Sequence, residues 1–256
     1  MDFSVVIPAR YDSQRLPGKA LVQIAGKPMI QRVYEQASKS DARRIIVATD
    51  DERIASVVTS FGGLSCMTSA EHPSGTDRIQ EVVRLESMRD DDIVVNVQGD
   101  EPLIPPEVIN QVAGNLAEND VSMATLYETI DGLDELFDPN IVKLVSNEKG
   151  MAMYFSRAPI PWDRDHIPHS LQYSVPNEMD DRIQYKRHVG IYAYRVRLLN
   201  QYVTWPVDEI EQIERLEQLR ILRKGLQIHV AEAVEKIPPG VDTEKDLQQT
   251  RLLLED

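Results

Sequence analysis

Arg10, Arg15 and Lys19 place three cations within ten residues, with Gly18 beside the last of them. A polyphosphate needs that grouping, because it is bound by several cations and free backbone N–H groups at close range. Arginine brings a planar two-pronged fork, and lysine a compact point charge. The run Pro8-Ala9-Arg10-Tyr11-Asp12-Ser13-Gln14-Arg15-Leu16-Pro17-Gly18-Lys19 is neither Gly-x-x-x-x-Gly-Lys-Ser/Thr nor Gly-x-Gly-x-x-Gly. A Walker loop and a dinucleotide fingerprint are therefore excluded. A solvated basic loop is the competing reading. Position favours phosphate: the run directly follows Phe3–Ile7, an apolar segment read as a buried strand, in an otherwise acidic chain.

The elements that must carry this loop follow from periodicity. Strands are expected at Phe3–Ile7, Arg44–Ala48, Leu64–Met67 and Asp92–Val97. Helices are expected from Pro28 to Ser38, Asp51 to Phe61, Asp77 to Ser87 and Pro105 to Leu116. Such alternation indicates a mostly parallel, Rossmann-like α/β sheet with helices on both faces. In these sheets ligands bind outside the carboxyl ends of the strands. Three polar segments fall there: Pro8–Lys19, Asp50 and Gln98–Asp100.

The second half reads as a smaller α+β portion. Strands are expected at Ile141–Ser146, Met151–Phe155, Gly190–Tyr194 and Ile228–Ala231, and Trp162–Arg187 as a long loop or hairpin. Asp208–Lys224 reads as one amphipathic helix with Ile210, Ile213, Leu216, Leu219 and Ile221 inward, and Asp242–Leu254 as a closing helix. The expected organisation is two halves, 1–126 and 127–256, without a flexible linker.

The chain has 256 residues, 42% hydrophobic content and a formal net charge of −14. An acidic chain repels nucleic acid and anionic membrane, so neither is an expected partner. Cys66 is the only cysteine, which rules out an intrachain disulfide; its apolar neighbours mark a buried strand thiol. No stretch approaches the roughly 20 apolar residues of a membrane span. The first residues lack the pattern of a signal peptide, and a cytoplasmic location is expected.

Further motifs bring a resemblance. After Ile7-Pro8-Ala9-Arg10 come Gly26-Lys27-Pro28-Met29-Ile30, Ala48-Thr49-Asp50, Ser74-Gly75-Thr76-Asp77-Arg78 and Asn96-Val97-Gln98-Gly99-Asp100-Glu101-Pro102. Tyr154-Phe155-Ser156-Arg157, His188-Val189-Gly190-Ile191-Tyr192, Leu216-Glu217-Gln218-Leu219-Arg220 and Gly240-Val241-Asp242-Thr243 follow. In this order, over almost the whole chain, the set resembles the 3-deoxy-manno-octulosonate cytidylyltransferase (CMP-Kdo synthetase) family of nucleotide-sugar cytidylyltransferases.

The resemblance implies an enzyme that joins CTP and 3-deoxy-D-manno-octulosonate into CMP-Kdo and diphosphate for lipopolysaccharide assembly, with Mg²⁺ as cofactor and a homodimer as its assembly. It implies that Arg10, Arg15 and Lys19 hold the triphosphate, and that Ala9, Ser13, Ser74, Gly75, Arg78 and Gln98 contact CTP. Asp100 and Asp242 would hold the metal, and Lys19, Arg15, Asp100 and Asp242 would form the catalytic set. Gln98, Arg157, His188, Glu211 and Glu214 would bind the sugar, Arg157 through its carboxylate. Each has a plainer reading: Asp100 a turn residue, Asp242 a helix cap, Arg157 a surface ion pair, His188 a structural histidine, and the two glutamates a solvated helix face. The sequence offers no strong candidate for a dedicated general base. An amino-substituted octulosonate, sialic acid, or a nucleotide-binding module without transfer activity stay open as alternatives. Ala20 stands where many relatives carry proline, and the segment Asp163–Arg187 is longer than the resemblance suggests; it reads as a lid or a dimer contact.

Overall fold

The apolar run after Asp2 forms strand β1 (Phe3–Ala9), with Val5, Val6 and Ile7 fully buried. The computed structural model describes residues 1–12, 16–165 and 184–255. A 3₁₀ turn at Lys19–Leu21 and a small ribbon, β2 (Gln23–Ile24) and β3 (Lys27–Pro28), lead into α1 (Met29–Ala37). There follow β4 (Arg44–Thr49), α2 (Glu52–Ser60), β5 (Leu64–Met67), α3 (Gly75–Leu85), β6 (Ile93–Asn96) and α4 (Pro106–Glu118). This half agrees with the expected pattern to within a few residues. Met29, Ile30 and Val33 of α1 are fully buried, each worth about 1.5–3 kcal/mol of burial. Cys66 is buried, as expected.

The remainder comprises β7 (Met123–Thr129), α5 (Leu133–Phe137), β8 (Lys143–Ser146), β9 (Ala152–Ser156), β10 (Lys186–Arg195), α6 (Val196–Tyr202), α7 (Glu209–Glu214), α8 (Gln218–Arg223), β11 (His229–Glu232) and α9 (Glu244–Glu255). Contacts divide the chain into two units. The first holds Met1–Ala124, Ile191–Trp205 and Val234–Asp256; the second holds Thr125–Gly190 and Pro206–Ala233. The division is discontinuous, where the sequence suggests contiguous halves meeting near 126. The chain re-enters the first unit because the last residues of β10 pair with β6, and because Asp242 meets Lys19.

In the first unit the strand order is β10–β6–β1–β4–β5. β6, β1, β4 and β5 are parallel, and β10 runs antiparallel beside β6. From β1 the chain winds outward through β4 to β5, then crosses to β6 on the other side of β1. β1 and β6 thus flank a topological switch point, where loops leave in opposite directions and open a crevice. In the second unit the order is β11–β7–β10–β8–β9, with β8 antiparallel to both β9 and β10. Among the described residues no helix is long and apolar enough to cross a membrane.

One expectation is corrected. Asp208–Lys224 is two short helices, because Arg215 takes a left-handed conformation (φ 56°) that ends α7. Ile213 is consequently 74% exposed, while Leu216, Leu219 and Ile221 are buried. β7 runs through the expected boundary near 126, and the second unit begins at Thr125. Of the stretch read as a loop or hairpin, residues 166–183 lie outside the described residues.

The break between α7 and α8 carries a buried ion pair. The Arg220 guanidinium donates to both Glu211 oxygens at 2.6 and 2.5 Å, and each side chain is 8% exposed. Removing one partner of such a pair strands the other charge, a loss of about 3–5 kcal/mol, whereas a hydrophobic replacement of both is milder. Urea denaturation of Glu211→Ala should show that loss, and the double variant Glu211→Leu/Arg220→Met should recover most of it. A single-variant loss below about 1 kcal/mol would mean that solvent screens the pair.

Candidate active site

Gly99 follows β6, and a Cβ there would lie 2.6 Å from the Pro8 carbonyl oxygen, so only glycine lets the two strand ends approach this closely. Gly18 turns the loop after β1 with φ 67° and donates its N–H to the Tyr11 carbonyl at 3.1 Å. The loop therefore closes on itself and delivers Lys19 toward the end of β6. Ala9, Arg10, Lys19, Gly75, Gln98 and Asp100 line a cleft of about 270 Å³. These six expected site residues are brought together within the first unit. Ser13 and Arg15 lie outside the described residues.

The Lys19 ammonium donates to Asp100 at 2.6 Å and to Asp242 at 2.9 Å. Burial alone would lower its pKa; the Asp100 and Asp242 charges outweigh burial and raise it. It therefore stays charged at any working pH. The cap of α9 falls to the neighbour of Asp242: Thr243 Oγ1 and Asp246 bond reciprocally at the helix start. Burial first, and the adjacent Asp100 charge second, push the Glu101 carboxyl up to about 8. At neutral pH the end of β6 thus presents one carboxylate rather than two.

The donor set suits Mg²⁺. Two carboxylates already converge on one cationic atom, and Mg²⁺ is usually held by one or two carboxylates plus substrate phosphates and water. Among the described residues no group of three or more His, Cys, Asp or Glu forms a dedicated metal cage.

Ser74 caps α3, accepting from Asp77 N–H at 3.2 Å and donating to its carboxylate at 2.6 Å. This places Gly75, with its helix N-terminus, at the cleft wall. Arg78, expected to contact CTP, is 0% exposed instead. Its guanidinium donates to Thr68 Oγ1 at 2.6 Å and to Asp50 at 2.7 Å, which ties α3 to the ends of β4 and β5. Sequence reasoning missed this pair, although Asp50 was singled out at a strand end. It also missed His72, whose backbone carbonyl accepts from Arg10 Nη2 at 2.6 Å.

Arg157, His188, Glu211 and Glu214 belong to the second unit. Arg157 Nε donates to the Glu214 carbonyl at 2.7 Å, and its Nη1 to the Pro139 carbonyl at 2.8 Å. Among the described residues its charge thus faces carbonyl dipoles rather than a carboxylate. Glu214 accepts from Ser156 Oγ at 2.6 Å and from the Arg157 N–H at 3.0 Å. Glu211 is tied to Arg220 and closes a capping box with Asp208, so its carboxylate is engaged inside the fold rather than on a solvated face. His188 lies within β10, not before a strand. Burial depresses its pKa to about 3. Thr125 donates its hydroxyl to the Val189 carbonyl, which leaves Thr125 Oγ1 to accept from His188 Nε2 at 3.1 Å. Lys143, unmarked in the sequence reading, is wholly buried in β8 and donates to the carbonyls of Asp138 and Ile141.

Comparison with known proteins agrees with this geometry. A family model described as cytidylyltransferase matches residues 4–237. The 3-deoxy-manno-octulosonate cytidylyltransferase of Cellvibrio japonicus is 58% identical, over 100% of this chain and 99% of its own length. That of Photobacterium profundum is 56% identical over 99% of this chain and 100% of its own. A solved structure of CMP:2-keto-3-deoxy-manno-octonic acid synthetase complexed with CTP superposes with a TM-score of 0.88 at 41% identity, covering 99% of this chain and 98% of that one. The chain belongs to the 3-deoxy-manno-octulosonate cytidylyltransferase family.

Proposed function

We propose that the protein transfers the cytidylyl group of CTP to 3-deoxy-D-manno-octulosonate, releasing diphosphate. The observation that carries this reading is the Lys19–Asp100–Asp242 cluster at the ends of β1 and β6, with Arg10 on the same cleft. The anomeric hydroxyl attacks the α-phosphorus; an O–P bond forms, the bond to diphosphate breaks, and the hydroxyl proton leaves to solvent. Charge accumulates on the leaving diphosphate. Lys19 and Arg10 would neutralise it, the largest contribution in this class of transfer. Asp100 and Asp242 would hold Mg²⁺, which supplies further neutralisation and eases loss of the hydroxyl proton. The N-terminus of α3, with Ser74 and Gly75, would meet the cytosine and ribose.

In the second unit, Arg157 would pair with the sugar carboxylate. Its two backbone acceptors fix the plane of the guanidinium before the substrate arrives. His188, being neutral, would exchange hydrogen bonds with sugar hydroxyls without adding charge.

Pyrophosphate release from CTP, Mg²⁺ and a panel of acidic sugars tests the reaction. Turnover should be highest with 3-deoxy-D-manno-octulosonate; a preference for sialic acid or an amino-substituted octulosonate would redirect the assignment, and no turnover with any sugar would sink it. Arg157→Ala should lower kcat/KM for the sugar about 10- to 100-fold, the value of a hydrogen-bonded charge, and leave CTP binding unchanged. Equal losses for both substrates would contradict the role.

Metal binding is read separately by Mn²⁺ paramagnetic resonance in the presence of CTP. Asp100→Asn and Asp242→Asn should each weaken Mn²⁺ by at least about tenfold, the loss that even outer-shell changes produce. Unchanged affinity in either variant would remove that residue from the metal site.

The depressed pKa of His188 also makes a stability prediction. An unfolded histidine titrates near 6.5 and the folded one near 3. Between these values the unfolded state binds the extra proton, so stability is full above about 6.5 and falls as pH drops toward 3. The slope from this group is at most about 1.4 kcal/mol per pH unit. Denaturation of His188→Gln across this window should show a flatter pH dependence. An NMR titration placing the His188 ring near 6.5 in the native protein would refute it.

A further inference from the structure

We propose that His72 and Glu81 are positioning residues for nucleotide binding, acting through Arg10; this rests on the reading of Arg10 as a triphosphate ligand. Neither side chain lines the cleft. Both act by locating one backbone carbonyl.

Arg10 leaves the end of β1 and donates Nη2 to the His72 carbonyl at 2.6 Å. A guanidinium has five N–H donors in a rigid plane, so fixing one edge on a carbonyl orients the rest of the fork. Among the described residues, the direction of the Arg10 fork therefore depends on the position of His72. That residue lies in the loop between β5 and α3, which has no ladder hydrogen bonds of its own to fix it.

Glu81 supplies the fixation from the second turn of α3. One of its oxygens, Oε2, accepts from the Ser69 N–H at 2.8 Å and meets His72 Nε2 at 2.6 Å. The carboxylate thus clamps the loop at its first residues and at His72 together. The side chains of His72 and Glu81 are each 19% exposed, so the clamp is partly shielded from water. Arg84 approaches the other oxygen, Oε1, at 3.3 Å and leaves the clamping oxygen to the loop. The Ser69 amide, then the His72 ring, hold the Glu81 carboxyl below its usual pKa, as expected if it works as an ionised acceptor.

Two further anchors bracket the same loop. Thr68 donates its N–H to the Thr49 carbonyl at 2.8 Å, pinning the loop start to the end of β4. Ser74 caps α3 and pins the loop end. Between them, Glu81 and His72 are what hold the carbonyl that Arg10 uses. The chain from α3 to the phosphate site therefore runs Glu81, His72 ring, His72 carbonyl, Arg10 guanidinium. Removing the His72 side chain leaves every atom of Arg10 in place but frees its acceptor.

A double-mutant cycle on CTP binding, measured by calorimetry with Mg²⁺, tests the coupling. His72→Ala should weaken CTP about tenfold in the otherwise native chain and cause no further loss in an Arg10→Ala background. In kinetics its KM for CTP should rise, with KM for the sugar unchanged. His72→Gln, whose amide N–H can still reach Glu81, should restore most of the affinity. If His72→Ala does not fold, Glu81→Gln is carried through the same cycle with the same expectation. Equal losses with and without Arg10 would overturn the proposal, since a merely structural defect adds independently. An unchanged CTP affinity in the native background would overturn it also. If Arg10→Ala alone binds CTP normally, the reading of Arg10 as a phosphate ligand falls first and the positioning role falls with it; that outcome is read from the single variant.

Discussion

Two carboxylates share one ammonium in the first unit, and much of its design serves that meeting. Lys19 reaches Asp100 across 81 positions of sequence and Asp242 across 223. At about 4 Å, a pair of unit charges near a protein surface interacts by about 4 kcal/mol at the effective dielectric of about 20 found there. The side chains are 17%, 28% and 44% exposed, so water takes back part of that attraction. What remains is directional. It requires the loop after β1 to fold back, β6 to lie against β1, and the C-terminal segment to return. Gly18, Gly99 and the Thr243 cap each meet one of these requirements.

The parallel sheet was legible in the sequence because its signals are local. Apolar runs such as Phe3–Ile7 and Arg44–Ala48 are buried on both faces, and that continuous pattern admits few other readings. The loop from Arg10 to Lys19 and the end of β6 were legible as a site for the same reason: polar residues following buried strands have one place to go. The switch point between β1 and β6 then explains why those two loops form the crevice.

What was not legible depended on partners distant in sequence. Nothing local marks Arg215 for a left-handed conformation, since the periodicity of 208–224 continues smoothly through it. The break follows from the Glu211–Arg220 pair and from burial of Leu216, which a single helix would have set differently. Arg78 was read as a CTP contact from the resemblance alone, and nothing local in the sequence shows that Asp50 and Thr68 draw its side chain entirely inside. His72 and Glu81 look like ordinary polar residues nine apart. Only the fold shows that they hold one loop from two sides. Arg15 and Ser13, plain in the sequence, lie outside the described residues.

Lys19 faces two demands that pull in different directions. In the structure it neutralises Asp100 and Asp242, which would otherwise repel each other across a short distance. In the proposed reaction it also serves a triphosphate, whose negative charge competes for the same ammonium. A Mg²⁺ ion held by Asp100 and Asp242 would relieve that competition, since one or two carboxylates with substrate phosphates and water are the donors it usually takes. Glu101 adds little to this competition: burial first, and the Asp100 charge second, raise its carboxyl to about 8, so it carries little charge at neutral pH. The site is therefore tuned by what it leaves uncharged as much as by the charges it assembles.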